Sequence, residues 1–203
     1  MPRSARVIAA GLILTVAVVV AQSAAQWIDF HFFDMGLRVL DSDHHRSVFG
    51  ALSLVAEAGA AVAIGLRATR GRRLAWFILA AVVGVLTVPR ALMGLEVAFE
   101  RYDVPVLVAP LTVVFAVLFV LTFRDPGGVR FIVWGSLGLL ACSFALHAVG
   151  PQADSAGTTA YAVTHSWAYQ AAGMLKHGSE LAGWMLLATG MAAVVSLPRR
   201  GTT

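Results

Sequence analysis

The chain has 203 residues, of which 59% are hydrophobic and only 13% are charged. Roughly a quarter of the residues in soluble domains are charged, so this composition excludes a soluble globular protein and indicates an integral membrane protein. The formal net charge of +4 comes from arginines grouped between apolar runs, and we expect no nucleic-acid partner. The single cysteine, Cys142, cannot form an intramolecular disulfide.

Apolar runs long enough to span a hydrocarbon core, about 20 residues each, recur along the chain and are separated by short polar segments. The six predicted spans cover residues 7–25, 47–66, 74–99, 106–123, 131–149 and 168–197. The sequence therefore predicts an all-α fold, a polytopic membrane helix bundle that forms one domain over residues 1–203. An even number of spans places both termini on the same side.

The first run follows the basic start MPRSAR and has two interpretations. Small residues at Ala21, Ser23 and Ala25 are typical of a signal-peptidase site. An uncleaved membrane anchor explains the same pattern, and we expect the run to be retained.

A polar periodicity follows the first run. Residues spaced three or four apart would share one face of a helix. These residues are His31, Asp34, Arg38, Asp41 and His45. The spacing predicts an amphipathic helix over residues 27–43 on the outward side. It would either lie on the outer leaflet, with Trp27 at the interface, or cover the bundle and supply ligands to a site.

Lysine and arginine concentrate on one side of the predicted spans. Ten of the fifteen fall on the side of the N-terminus, so the positive-inside rule places both termini in the cytoplasm. All but Lys176 are arginine, which indicates a GC-rich genome and a bacterial cytoplasmic (inner) membrane. Ten of the eleven acidic residues and all six histidines fall outward, so we expect the active face there.

The segment DSDHHRS precedes the second span. Ser42 or Asp43 is a suitable N-cap, because a side-chain oxygen satisfies free N–H groups where a helix begins. The capping role of Ser42 or Asp43 gives no reason for the presence of Asp41, His44 and His45 in the same segment. A carboxylate and an imidazole at i and i+3 or i+4 can share a metal ion or a proton.

Glu57 lies in the middle of the second span. A charged side chain at the bilayer centre costs about 2.5–3.5 kcal/mol on insertion scales, so we expect Glu57 to be paired, protonated or hydrated. Small residues at Gly50, Ser53 and Ala60 indicate that this face packs against other helices. A structural glutamic acid and a proton-handling group both fit. Arg90, in the third span, is a candidate partner for Glu57.

The last span opens with three ionisable residues within five positions, Lys176, His177 and Glu180. Lys176 and Glu180 are an i,i+4 pair, and Arg90 is an alternative partner for Glu180. Ionisable residues at membrane depth indicate a functional site by default. We expect His147, late in the fifth span, to meet this cluster.

Three short features stand together: the acidic segment before the second span, GLE at Gly94 to Glu96, and SELAGW at Ser179 to Trp184. With these features the chain resembles a widespread group of uncharacterised bacterial polytopic membrane proteins. The resemblance covers the second to sixth spans and implies the fold but no activity. The chain departs from the group at Pro89-Arg90 and Lys176-His177, where the group is richer in acids.

Two hypotheses from different classes follow. In the first, an outward pocket holds a divalent metal, zinc or similar, which activates water for hydrolysis of a lipid or a periplasmic small molecule. The expected ligands are His44, His45, His177 and Glu180, with Asp41 or His147 behind them. Glu57, Arg90 and Lys176 would be the catalytic groups.

In the second hypothesis the chain is a small transporter, or an accessory subunit with a membrane-protein partner, and has a buried ion-pair network. A haem between His147 and His177 is a third alternative. Nucleotide-binding, HExxH, nucleophile-elbow and CxxC motifs do not occur in the sequence. The sequence leaves open whether the protein is an enzyme.

Overall fold

The computed structural model describes the backbone of residues 2–34, 36–37, 39–40, 47–71, 74–94, 104–153 and 166–197. It describes the side chains of the same residues except 71, 89–94, 104–109 and 147–153. This part of the chain forms six α-helices and contains no β-strand. The helices are α1 (Arg3–Phe32), α2 (Val48–Gly71), α3 (Leu74–Gly94), α4 (Val104–Thr122), α5 (Gly127–Ala153) and α6 (Trp167–Val195).

The predicted all-α class is confirmed. Four of the described helices, α1, α2, α5 and α6, are long and apolar enough to cross a membrane. The apolar parts of α3 and α4 are shorter, Leu74–Val88 and Pro110–Thr122. Each helix overlaps one predicted span, and α1 extends farthest beyond its prediction, at both ends.

The buried and exposed faces of α1 are reversed relative to a helix of a soluble protein. Its fully buried residues are all polar: Thr15, Gln22, Gln26 and Asp29. Large apolar side chains such as Ile13 and Val16 point away from the bundle and are more than half exposed. An apolar outer face with a polar inner face is what a lipid environment favours, because the lipid takes the place of a hydrophobic core.

Helix α6 is the centre of the bundle and packs against α1, α2 and α5. Glycines permit the close approach on two sides. A Cβ atom on Gly183 would lie 2.5 Å from Leu140 Cγ, and one on Gly190 would lie 2.8 Å from Val133 Cγ2, both on α5. Gly11 of α1 packs directly against Thr189, and Val19 of the same helix lies next to Gly178. The order of these contacts along the chain shows that α1 and α5 both run antiparallel to α6.

One half of the bundle, called here the apolar half, contains the main hydrophobic cluster. Its buried residues are Ala60, Ala63, Ile64, Ala68, Trp76, Leu79, Val83, Leu111, Val114, Leu118, Val129, Val133, Leu137, Leu140, Trp184, Leu187, Met191 and Ala193. Three buried hydroxyl groups in this half donate to carbonyls of their own helices: Thr15 to Gly11, Thr122 to Leu118, and Ser136 to Val133. They therefore need no partner from another helix.

The apolar half ends in a basic end, the end of the bundle that holds Arg3, Arg6, Arg67, Arg70, Arg124 and Arg130. Arg67 donates to both carboxylate oxygens of Asp125 at 2.6 and 2.7 Å. Its guanidinium also stacks on Trp76, with Cζ 3.9 Å from the ring centroid. Asp125 is the one acidic residue among the described residues at this end, so the predicted segregation of charge along the bundle is present in the fold.

The predicted amphipathic helix over residues 27–43 is wrong. Residues up to Phe32 belong to α1, and Asp34 follows with a φ of 50°, in the left-handed region that ends a helix. Gly36 N–H then donates to Phe33 O at 2.8 Å, and Leu37 N–H donates to the buried Asp29 Oδ1 at 2.9 Å. The helix that carries His31 therefore ends before Asp34. Arg38, Asp41 and His45 lie outside the described residues.

The prediction of Ser42 or Asp43 as the cap of the second span is also wrong. Helix α2 begins at Val48, and the Ser47 hydroxyl accepts from Gly50 N–H at 3.0 Å. Ser47 directly precedes the helix, and its oxygen therefore satisfies one of the free N–H groups of the first turn.

Candidate functional site

Buried polar groups collect in the half of the bundle away from the basic end, called here the polar half. They are Gln22, Gln26, Asp29, Ser47, Ser53, Glu57, Ser143, Gln170, Ser179 and Glu180. Four helices contribute to this set. In the apolar half, the buried hydroxyl groups donate within their own helices, and Thr122 also accepts from Trp134 Nε1 of α5 at 3.2 Å. The polar half contains the buried carboxyl and carboxamide groups, so it is where side-chain chemistry is available.

Glu57 and Glu180 lie at the same level of the bundle. Helices α2 and α6 run parallel, since Arg67 lies 3.8 Å from Met191 Sδ and Arg70 bonds to Leu197 O. Arg67 and Met191 are neighbours, and counting back ten residues along each of the two parallel helices leads to Glu57 on α2 and Leu181 on α6. Leu181 directly follows Glu180, so the two glutamates lie at the same level. Both carboxyl groups are almost fully buried, with exposures of 3% and 6%. Together they mark the boundary between the two halves.

Helix α5 brings a hydroxyl group to the same level. The Leu140 side chain of α5 packs against Gly183 of α6. Because the two helices are antiparallel, Ser143, three residues after Leu140, lies at the level of Glu180, three residues before Gly183. Ser143 is fully buried. The level therefore contains two carboxyl groups and a hydroxyl group.

His177 is the imidazole nearest to these groups among the described residues. Its Nδ1 atom lies 3.8 Å from Glu180 Oε2, one turn along α6. Lys176 is half-buried on the same helix, and its carbonyl accepts from the Ser179 hydroxyl at 3.0 Å. The structure thus brings together His177 and Glu180, as the sequence predicts, with Lys176 beside them.

The first helix also contributes to the polar half. Gln26 Nε2 donates to Gln170 Oε1 at 3.0 Å, and both side chains are buried. Gln22 lies one turn closer to the apolar half, and Asp29 one turn farther away. Gln22 and Gln26 were not predicted to belong to a site, whereas the helical spacing of Gln170 places it on one face of α6 with His177 and Glu180. The spacing of four between Gln22 and Gln26 on the first run was the available signal, since a membrane anchor alone has no need of two glutamines on one face.

Several buried polar atoms in and next to the polar half have no hydrogen-bond partner among the residues that the structure describes. They are both amide atoms of Gln22, Asp29 Oδ2, Ser53 Oγ and Trp184 Nε1. Each such atom costs about 1–3 kcal/mol when buried without a partner. Such exceptions in a native structure call for a specific explanation, and a bound water molecule or ion is one such explanation.

The side chains of the remaining predicted site residues are not among those that the structure describes. Asp41, His44 and His45 lie outside the described residues. The backbones of Arg90 and His147 belong to the last turns of α3 and α5, while their side chains lie outside the described part.

The described residues provide only part of the predicted metal site. Within the residues that the structure describes, no group of three or more His, Cys, Asp or Glu side chains is placed to hold a metal ion. His177 and Glu180 supply two donors, and structural or catalytic zinc takes at least three from the protein. A metal here requires donors from Asp41, His44, His45 or His147. A haem would likewise depend on His147.

Aromatic side chains form the end of the bundle opposite the basic end, called here the aromatic end. Trp27 and His31 meet edge to face at 4.4 Å, and the His31 ring lies parallel to Trp167 at 6.5 Å. Helix α6 begins at this end, where the Ser166 hydroxyl accepts from Tyr169 N–H at 3.2 Å. Amphipathic rings of this kind are typical of the interface between membrane and water.

Comparisons with known proteins add no relative. No protein-family model, curated protein or solved structure matches the chain. The resemblance to uncharacterised bacterial polytopic membrane proteins therefore stays a prediction, and the function has to be inferred from the geometry.

Proposed function

We propose that the protein is a six-span integral membrane protein of a bacterial inner membrane, with the basic end in the cytoplasm and the aromatic end outward. The apolar outer face of α1 supports the embedding. The grouping of the arginines at one end of the bundle supports the orientation by the positive-inside rule.

Within this arrangement, the polar half is an outward pocket that takes up a cation, a proton or a divalent metal ion, and the protein is a small transporter. The observation that carries this proposal is the common level of Glu57 and Glu180, both almost fully buried, with His177 3.8 Å from Glu180. Carboxylates at membrane depth inside a bundle are characteristic of ion pathways and proton relays.

Helix packing alone is a weaker explanation for these carboxyl groups. A buried ion pair often contributes no more stability than apolar residues of similar volume, because both charges must leave water. The apolar half shows that this bundle packs well with Ala, Ile, Leu and Val. Carboxyl groups placed next to that core cost stability, and cation binding provides a reason for their presence.

The metal-dependent hydrolase remains the second proposal for the same pocket. It is favoured by the His177–Glu180 pair, which offers one imidazole and one carboxylate to an ion. It further requires ligands from Asp41, His44, His45 or His147, and a substrate that enters from the lipid or the periplasm.

Flux measurements in proteoliposomes test the transporter proposal. Vesicles that enclose a pH-sensitive or zinc-sensitive dye receive a proton or Zn²⁺ gradient. Wild-type protein should dissipate one of the two gradients, and Glu57→Gln or Glu180→Gln should reduce the rate at least about tenfold, which corresponds to about 1.4 kcal/mol in the barrier. Ser136→Ala is the matched control, because this buried hydroxyl bonds within its own helix in the apolar half.

Equal rates for wild type and Glu57→Gln would overturn the proposal. So would the absence of flux of either ion through correctly folded wild-type protein. Folding of each variant is checked by helical circular dichroism and by elution as a single species in detergent.

A further inference from the structure

We infer that the interface between α1 and α6 is the route by which a cation reaches the pocket, and that the hydrogen bond between Gln26 and Gln170 closes this route. The inference rests on the proposed function, since the route leads to Glu57 and Glu180. It assigns to α1 the role of a movable wall of the pocket.

The inner face of α1 has the chemistry of a channel wall. Gln22, Gln26 and Asp29 recur at intervals of four and three, so they share one side of the helix. All three are at most 1% exposed. A face that packs permanently against α6 would be served better by glycine and apolar residues, such as Gly11 and Val19, which contact α6 closer to the basic end.

The closed arrangement leaves hydrogen-bonding groups on this face unsatisfied. Within the described part of the chain, neither amide atom of Gln22 has a hydrogen-bond partner, and neither does Asp29 Oδ2. A buried polar group without a partner costs free energy, and contact with water removes that cost. The closed state of the interface and an open, hydrated state are therefore closer in free energy than the burial of α1 alone indicates.

The attachment of α1 differs along its length. Its one extensive contact among the described helices is with α6. In the apolar half, Gly11 packs directly against Thr189. Next to the level of Glu180, Val19 Cγ1 lies 3.5 Å from the Cβ position of Gly178. Nearer the aromatic end, the side chains of Gln26 and Gln170 join the two helices by a hydrogen bond.

Helix α1 also has free space beside it. An apolar groove of about 260 Å³ separates it from α5 and is lined by residues that include Leu12, Val16, Leu139 and Leu186. Lipid chains can follow a displacement of α1 on this side at little cost, because the groove presents almost no polar surface. A swing about the Gly11 contact would open the polar half while the apolar half stays closed.

Thiol accessibility tests the route in membranes that contain the full chain. Cysteine is introduced in a Cys142→Ala background, which removes the native thiol. A charged, membrane-impermeant methanethiosulfonate reagent is then applied from the outward side. Gln22→Cys should react, whereas Thr15→Cys, two turns deeper on the same face, should not. Val20→Cys, which faces lipid at the depth of Gln22, is the control for simple membrane penetration.

Breaking the closing bond should accelerate the reaction. Gln26→Leu added to Gln22→Cys should raise its labelling rate about two- to thirteenfold, the factor expected from one net hydrogen bond of about 0.5–1.5 kcal/mol. Gln170→Leu removes the same bond from the other helix and should give the same result, so a folding defect of either variant leaves a second measurement.

The route is overturned if Gln22→Cys reacts no faster than Thr15→Cys in the Gln26→Leu and Gln170→Leu backgrounds. It is also overturned if neither substitution changes the Gln22→Cys rate. Labelling of Gln22→Cys with unchanged flux in Glu57→Gln would support the route and reject the proposed function. Flux that depends on Glu57, without labelling of Gln22→Cys, would support the proposed function and reject the route.

Discussion

Arg67 and Asp125 connect α2 to the turn between α4 and α5 through two short hydrogen bonds, 2.6 and 2.7 Å long, and both side chains are nearly buried. Arg67 also stacks on Trp76 of α3 and lies 3.8 Å from Met191 Sδ of α6. One guanidinium, carried by α2, thus contacts two other helices and a turn at the basic end. The bidentate geometry matches the planar fork of arginine and is not available to lysine.

Loss of this pair should destabilise the bundle. We expect Arg67→Ala to lower the free energy of unfolding by about 2–3 kcal/mol, because a buried charged hydrogen bond contributes about 1.5–3 kcal/mol. Arg67→Lys should recover only part of the loss. Denaturation in detergent, with Asp125→Ala and the double variant to complete a double-mutant cycle, isolates the pair from the Trp76 contact. Arg70→Ala is the control, since Arg70 is exposed and contacts only the Leu197 carbonyl among the described residues. Additive effects of Arg67→Ala and Asp125→Ala would contradict the assignment.

The glycines of α6 give a second stability prediction. Gly183→Ala places a methyl group 2.5 Å from Leu140 Cγ and 3.1 Å from the Ser136 carbonyl, so α5 and α6 must separate. Overpacking of this kind costs about 1–3 kcal/mol. Gly138→Ala on α5 meets nothing within 4 Å and should be neutral or stabilising by up to about 1 kcal/mol, because alanine is the better helix former. Thermal unfolding in detergent compares the two, and equal midpoints would show that the α5–α6 contact is not close.

Orientation in the membrane is tested at two exposed turns. Asp34 follows α1 near the aromatic end, and Arg124 lies between α4 and α5 at the basic end. The test uses intact cells with a Cys142→Ala background and a maleimide that passes the outer membrane but cannot cross the inner membrane. Asp34→Cys should react with this reagent. Arg124→Cys should react only after the inner membrane is permeabilised. The reverse pattern would invert the proposed topology, and reaction of both in intact cells would contradict an odd number of crossings between them.

Metal content separates the two proposals for the pocket. If the hydrolase proposal is right, purified wild-type protein retains close to one divalent ion per chain, and replacement of His44, His45 and His177 by alanine removes it, since zinc sites need at least three protein donors. Elemental analysis after dialysis gives the count. Equal, near-zero metal in wild type and variant would reject a resident metal and leave the transporter proposal, which needs only transient binding.

Much of the fold was predictable because apolar runs separated by short polar segments recur along the chain, so six helices could be read from hydropathy even where α3 and α4 have shorter apolar parts. Glu57 and Glu180 were predictable too, because an acid within an apolar run is conspicuous whatever its neighbours are. The shared level of the two residues was not, since it depends on the parallel register of α2 and α6, which Arg67 and Met191 set at the far end of the bundle.

The end of α1 was mispredicted for a local reason. The polar spacing from His31 onward has helical periodicity, but periodicity does not reveal a backbone break. Asp34 adopts a positive φ, and the buried Asp29 carboxylate accepts from Leu37 N–H, a tertiary arrangement that competes with helix propagation. The buried glutamines of α1 were missed because a run near the N-terminus was interpreted as an anchor and not as part of a polar interior.

Carbodiimide modification is the most direct test of the central claim, that Glu57 and Glu180 form a cation-binding level inside the bundle. Dicyclohexylcarbodiimide enters membranes and forms a stable N-acylurea with protonated carboxyl groups in apolar surroundings. Mass spectrometry should locate the adduct on Glu57 or Glu180, and its yield should fall when the pH is raised or Zn²⁺ is added, because both remove the protonated acid. Absence of an adduct on either residue at every pH tested, or a yield that neither pH nor Zn²⁺ changes, would contradict the account.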